Sequence, residues 1–175
     1  MTAMDERDKF DIMFYEAHYK DGQCRYKENG CSICIQEWDD CYTIQIDPPD
    51  PDMVCVLKTY YADTMTLMSE GKYLKLGNTR IGVWKDYDRV GKIENETDYD
   101  EGWTMTWEKF LPILSFSTLD MKRIVGIHRY VKEEEDKTER HWVITTLISP
   151  RVTLIDTYDG DTGKKLWTNM EVMKD

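Results

Sequence analysis

The sequence predicts an α+β protein: predominantly antiparallel β-sheet built from repeated β-hairpins, with one short helix near residues 104–116. Three observations lead there. Apolar and polar residues alternate in short runs, as in Ile81, Val83 and then Lys85, the period of a strand with one wet face. Glycine, asparagine and aspartate cluster between the runs, where they permit tight turns. A helical three- and four-residue period takes over after residue 103. With 175 residues the chain can bury roughly 70% of its unfolded surface and hold a true core.

From Phe10 to Asp47, the runs Ile12 to Tyr19, Ser32 to Trp38 and Tyr42 to Ile46 have strand character. Lys20-Asp21-Gly22, Glu28-Asn29-Gly30 and Asp39-Asp40 separate them as turns, so residues 1–50 read as a β-meander. In Asp47-Pro48-Pro49-Asp50-Pro51-Asp52, three prolines remove backbone donors and block a helix, which marks an exposed loop and the best candidate boundary in the chain. Residues 51–102 carry a repeat. Shifted by 26 positions without a gap, Tyr61 falls on Tyr87, Leu67 on Ile93, Glu70 on Glu96 and Tyr73 on Tyr99. Each copy has the spacing of a hairpin: an aromatic strand end, a turn holding Asp63 or Gly91-Lys92, and a returning strand that closes on a tyrosine. Neither hairpin can bury its aromatic face alone, so stacking one on the next is the economical solution.

Residues 103–175 read as a small helix-plus-sheet unit, packed with the rest into one compact domain. Thr104 or Thr106 caps a helix with Glu108 in its first turn and Trp107, Phe110, Leu111 and Leu114 on its apolar stripe; Pro112 is expected to shorten or restart it. After a turn at Ser117 to Asp120 come strands at Ile124 to Val131, Trp142 to Ser149 and Val152 to Tyr158. Lys132-Glu133-Glu134-Glu135-Asp136-Lys137 reads as a solvated loop between the first two. Asp159-Gly160-Asp161-Thr162-Gly163-Lys164 reads as a tight turn into a last short strand near Leu166-Trp167.

Gly71-Lys72-Tyr73, the run Gly77-Asn78-Thr79-Arg80-Ile81-Gly82-Val83-Trp84-Lys85-Asp86-Tyr87, Gly91-Lys92-Ile93 and Tyr99 together resemble the MORN-variant repeats of the YwqK-type antitoxin family. Two copies, the first lacking the turn glycine that the second has at Gly91, depart from that pattern. The resemblance implies a β-hairpin surface that binds another macromolecule, and it implies no chemistry. The C-terminal half, ending in a strand, a turn with Thr162-Gly163-Lys164 and another strand, is similar to small PepSY-like units, which are regarded as binding or inhibitory modules.

Charge narrows the partners. Thirty-four acidic against 23 basic side chains leave a net charge of −11, which repels phosphate backbones and anionic lipid surfaces and attracts a basic protein. The N-terminus is charged, and no run approaches the roughly 20 apolar residues of a membrane span, so a cytoplasmic location is expected. Cys24, Cys31, Cys34, Cys41 and Cys55 leave three readings open: a four-thiolate zinc site, a redox pair, or reduced thiols packed as small apolar groups. The strand alternation of Ile33, Cys34 and Ile35 puts Cys31 and Cys34 on opposite faces, and an odd total fits reduced thiols best. His128 and His141 are expected to face each other across a hairpin as a packing pair, bringing Arg129 and Arg140 close. Asp156, Asp159 and Asp161 fail the calcium-loop order, and the run from Gly160 to Lys165 lacks the phosphate-loop spacer.

These residues lead to the expectation of a bacterial protein that binds another protein, with no catalytic site and no cofactor or metal. Its sharpest form is an immunity or antitoxin protein that occludes the active site of a basic toxin. Asp86, Asp88, Asp98, Asp100 and Glu101 are the expected acidic contact surface, with Trp84 and Tyr87 as aromatic anchors. The alternatives are a structural or scaffold β-repeat protein, and a metal-binding sensor or enzyme built on the cysteine cluster.

Overall fold

The computed structural model describes residues 9–20, 22–116, 121–135 and 137–173. It is mostly antiparallel β-sheet with two helices, and it divides into two compact units. The first unit comprises Met1–Lys75 and Arg80–Tyr99; the second comprises Leu76–Thr79 and Asp100–Asp175. Among the described residues, no helix is long and apolar enough to cross a membrane.

The first unit opens with α1 (Ile12–His18), followed by a seven-stranded meander in sequence order: β1 (Gln23–Glu28), β2 (Cys31–Glu37), β3 (Cys41–Asp47), β4 (Val54–Tyr61), β5 (Leu67–Leu74), β6 (Thr79–Tyr87) and β7 (Ile93–Asp98). The strand expected at Ile12 to Tyr19 is therefore a helix. Its aromatic and β-branched content suits a strand, but Asp11 accepts a hydrogen bond from the Phe14 amide at 2.9 Å and caps the first turn. The helix buries Tyr15 and packs Ile12 and Phe14 beside it. Strand β1 adds to the expected meander. Only Cys24 of its residues is buried, so its apolar signal is weak. Asn29 and Gly30, both at positive φ, close the β1–β2 hairpin with the turn chemistry the sequence suggests. The proline run leads from β3 to β4, which pair directly (Ile46 opposite Val56), so the chain does not leave the sheet there. The division between units falls instead at residues 75–80 and 99–100.

This sheet has apolar clusters on both faces. On one, Phe10, Tyr15, Cys24, Ile33, Ile35, Tyr42, Tyr60 and Leu67 pack with α1, and Phe10 stacks on Tyr42 at 4.5 Å. On the other, Cys55, Tyr73 and Trp84 form a smaller cluster with Leu57 and Tyr99 beside it.

The repeat is real in the structure, but with an offset. Both hairpins carry a bulge on the returning strand, at Met68 (Thr59 faces Ser69, Tyr60 faces Leu67) and at Glu94 (Asp86 faces Asn95, Tyr87 faces Ile93). Both carry a cross-strand ion pair, Lys58–Glu70 at 3.6 Å and Lys85–Glu96 at 4.0 Å. The returning strands thus match at 26 residues and the outgoing strands at 27. The connection 61–66 is one residue longer than 88–92, which absorbs the difference. Tyr60, not Tyr61, is the counterpart of Tyr87. Tyr61 instead donates its hydroxyl proton to the Tyr87 carbonyl at 2.8 Å, under the guanidinium of Arg89.

The second unit packs α2 (Trp107–Phe116) on a sheet of β8 (Ile124–Glu134), β9 (Lys137–Ser149), β10 (Val152–Asp159) and β11 (Lys165–Val172), ordered β11-β10-β9-β8. Trp107, Phe110 and Leu114 are buried as expected, whereas Leu111 is exposed. The helix runs through Pro112 without restarting. Glu108, whose carbonyl loses its partner there, and Pro112 itself both lie on the exposed side, where water can serve that carbonyl. Phe110 stacks on Trp142 at 5.0 Å and meets Tyr158 edge-on at 5.1 Å, making one continuous aromatic core. The expected loop Lys132 to Lys137 is largely strand: pairing continues to Glu134 opposite Lys137. The turn expected at Ser117 to Asp120 lies outside the described residues.

Candidate functional site

The acidic residues singled out in the sequence take three different roles. Asp88 builds the β6–β7 turn: its Oδ1 accepts from the amides of Val90 at 3.0 Å and Lys92 at 2.8 Å. Asp100 belongs to the second unit and pairs with Arg129 Nη2 at 2.6 Å; Glu101 follows it there, exposed. Asp86 and Asp98 remain on the strands of the hairpin with exposed side chains, and Asn95 donates to Asp86 at 3.3 Å. Three of the five acids thus belong to the first unit and two to the second.

Trp84 and Tyr87 are built into the sheet rather than offered outward. Trp84 is 6% exposed; its indole lies over Gly71 and donates to the Lys72 carbonyl at 2.9 Å. Glycine is required at 71 because a Cβ there would overlap the indole ring. The Tyr87 hydroxyl donates to Glu70 Oε1 at 2.8 Å.

Two acids that the sequence reading passed over complete the exposed set. All six residues of β7, Ile93 to Asp98, are exposed, and β7 is the last strand of its sheet. Register puts Glu96 and Asp98 on the face with Lys85 and Val83, while Asp86, Asn95 and Thr97 lie on the opposite face, and Glu94 occupies the bulge. The edge strand thus carries carboxylates at its bulge and on one face, with Asp86 of β6 on the other. The signal was present in Glu94-Asn95-Glu96-Thr97-Asp98, which is polar at every position and so lacks the buried side that alternation demands.

The cysteines belong to the packing. Cys55 is fully buried; burial first, then the neighbouring Asp47 carboxylate, pushes its thiol up to about 12. The same causes act on Cys24 (burial, then Cys34) and Cys41 (burial, then Asp40), both raised. A nucleophilic or metal-binding cysteine needs the opposite shift. As expected, Cys31 and Cys34 stand on opposite faces of β2. Among the described residues, no three His, Cys, Asp or Glu side chains converge as metal ligands.

The histidines do not face each other. His128 lies opposite Val143 and His141 opposite Tyr130, because the tighter strand end at Glu134–Lys137 shifts the register by two. For the same reason Arg129 lies opposite Trp142 and Arg140 opposite Val131. His141 is buried, stacked with Tyr130 at 6.3 Å and meeting Trp167 edge-on at 5.5 Å. The three C-terminal aspartates also go separate ways. Asp156 is buried, held by Lys165 Nζ and Thr168 Oγ1, each at 2.6 Å. Asp159 closes the turn through Thr162, whose hydroxyl and amide both donate to its Oδ1 at 2.7 Å, and these bonds hold its carboxyl below the usual range. Asp161 is exposed.

Among the described residues, this arrangement offers a ligand an open acidic strand edge. Compared with protein-family models, with curated proteins and with solved structures, the chain matches none of them.

Proposed function

We propose that this protein acts by binding another protein without chemistry, and that the β6–β7 hairpin is its contact surface. The observation that carries the reading is β7 itself: an edge strand with every side chain in solvent, three of them carboxylates, on a chain of net charge −11. Such an edge discourages pairing with another acidic strand and attracts a basic one. The finer form of the proposal is an immunity or antitoxin protein of the bacterial cytoplasm, where five reduced thiols persist, that blocks a basic toxin by covering its active site.

The test is stopped-flow association with a basic partner, for which the product of the neighbouring gene is the first candidate. The association rate is expected to fall roughly tenfold from low to high ionic strength, and to fall similarly when Glu94, Glu96 and Asp98 are changed together to lysine. A rate indifferent to both salt and charge reversal would overturn the proposal.

A further inference from the structure

The two outer strands of the four-stranded sheet are held in different ways. Along β8 lies Leu76–Thr79, with the Ile127 amide donating to the Leu76 carbonyl at 2.6 Å and the Thr79 hydroxyl to the Ile127 carbonyl at 2.8 Å. β8 itself buries Ile124 and Ile127. β11 is laid on β10 from Lys165 to Val172, and all eight of its side chains are exposed, Trp167 at 47% and Met170 at 66%. A strand that buries no side chain gains little from the hydrophobic effect, so the main-chain ladder and a few specific contacts must hold it. Two of those contacts converge on one atom. Lys165 Nζ and the Thr168 hydroxyl both donate to Oδ1 of the buried Asp156, each at 2.6 Å. Residues three apart on a regular strand would lie on opposite faces; the bulge at Leu166, where Thr157 faces Trp167 and Tyr158 faces Lys165, brings them to the same one. A third contact is Trp167, which meets the buried His141 edge-on at 5.5 Å.

We infer that β11 is a latched strap: it opens from β10 as a unit, and Asp156 is the latch. An ionised carboxylate with so little access to water is tolerated only while its donors stay with it. Lys165 comes from one end of β11 and Thr168 from its middle, so fraying of the first half of the strand strips the carboxylate of both donors. Closed, the charge is paired; with β11 fully away, water reaches it. The states between, with donors gone and the site still covered, are the costly ones, and their cost makes the opening all-or-none. Opening also lifts Trp167 from His141, leaving β10 as the outer strand of a three-stranded sheet.

Hydrogen–deuterium exchange on the full chain, read peptide by peptide, tests this. In the native protein the hydrogen-bonded amides of β11 are expected to exchange together, and about tenfold or more faster than those of β9. Lys165→Met, at a half-exposed position, removes one donor and leaves the carboxylate. It is expected to speed exchange in β11 by about tenfold or more while β8 and β9 are unchanged. Adding Asp156→Asn removes the charge itself and keeps an acceptor for Thr168, and is expected to bring β11 back to within about threefold of the native rate. A native β11 that exchanges in step with β9 would overturn the inference. So would a Lys165→Met variant that leaves β11 unaltered or speeds all the strands equally, or an effect that Asp156→Asn does not reverse.

Discussion

Each unit of the molecule sets an arginine against indole rings, and the two assemblies differ in what water can reach. In the first, Arg80 lies over Trp84 at 4.2 Å, donates to the Tyr99 hydroxyl at 2.6 Å, and is exposed. In the second, Arg129 sits 4.6 Å from the Trp103 ring and 4.5 Å from the Trp142 ring, paired with Asp100; its side chain is only 8% exposed and that of Asp100 18%. The chemistry is shared, but a guanidinium on a wet ring trades one set of good contacts for another, whereas a desolvated one depends on its partners. A cation–π contact is worth about 0.5–1 kcal/mol at an exposed site and about 2 or more when desolvated. Losing one member of a buried ion pair is costlier still, because it strands the other.

The largest effect is therefore expected at the buried assembly. Arg129→Ala should destabilise the protein by about 3–5 kcal/mol in urea unfolding, and Asp100→Ala should be comparably severe. If Arg129→Ala cost under about 1 kcal/mol, the two assemblies would be energetically alike and the contrast would fail. Next comes Gly71→Ala. A methyl group there displaces the Trp84 indole that supports Arg80, and overpacking of this kind costs about 1–3 kcal/mol, readable as a shifted tryptophan emission and a lower urea midpoint.

Alkali sharpens the comparison because both units hide protonated groups. Burial pushes Cys55 and, in the other unit, Tyr158 up to about 12, Tyr158 with help from the Asp156 carboxylate; burial also raises Tyr73, beside Cys55. The folded state holds the protons that the unfolded chain releases from its thiols near pH 9 and its phenols near pH 10. The stability these groups contribute is full below those values and drains away as pH rises toward 12. Unfolding midpoints are expected to be level from pH 7 to 8.5 and to fall above about pH 9, with the Cys55→Ser variant falling less steeply because Cys24 and Cys41 are raised as well. The smallest effect belongs to Arg80→Ala, expected to cost no more than about 1 kcal/mol, and less in high salt.

Much of this fold was legible from local chemistry. The strand at residues 81–85, the Asn29-Gly30 turn, and the stripe of Trp107, Phe110 and Leu114 are each adopted, although within the strand Ile81 is buried and Val83 exposed, because the buried side changes at Gly82, which has a positive φ. The failures share a cause: a decision made by something distant or by a single residue. Residues 12–19 look like a strand until one counts the hydrogen bond that Asp11 makes to Phe14. The His128–His141 pairing needed a register that the acidic stretch alone does not fix, since Lys132, Glu134, Lys137 and Glu139 form ion pairs along strands rather than crowding a loop. Arg129 gave no warning, because only folding brings Trp103, Trp142 and Asp100 around it. As for the candidate site, Asp86 and Asp98 were anticipated on an exposed hairpin. Glu96 enters the sequence analysis only as a repeat position and Glu94 not at all, because neither is considered there as a member of a strand with no buried side.

Leu76–Thr79 has one more consequence. The chain enters the second unit there, before the first is finished, and only afterwards returns to lay down the rest of β6 and β7. No single cleavage separates the molecule into two self-sufficient pieces. A fragment starting at Asp100 would lack the carbonyl that receives the Ile127 amide, and one ending at Tyr99 would carry a segment whose partner strand is missing.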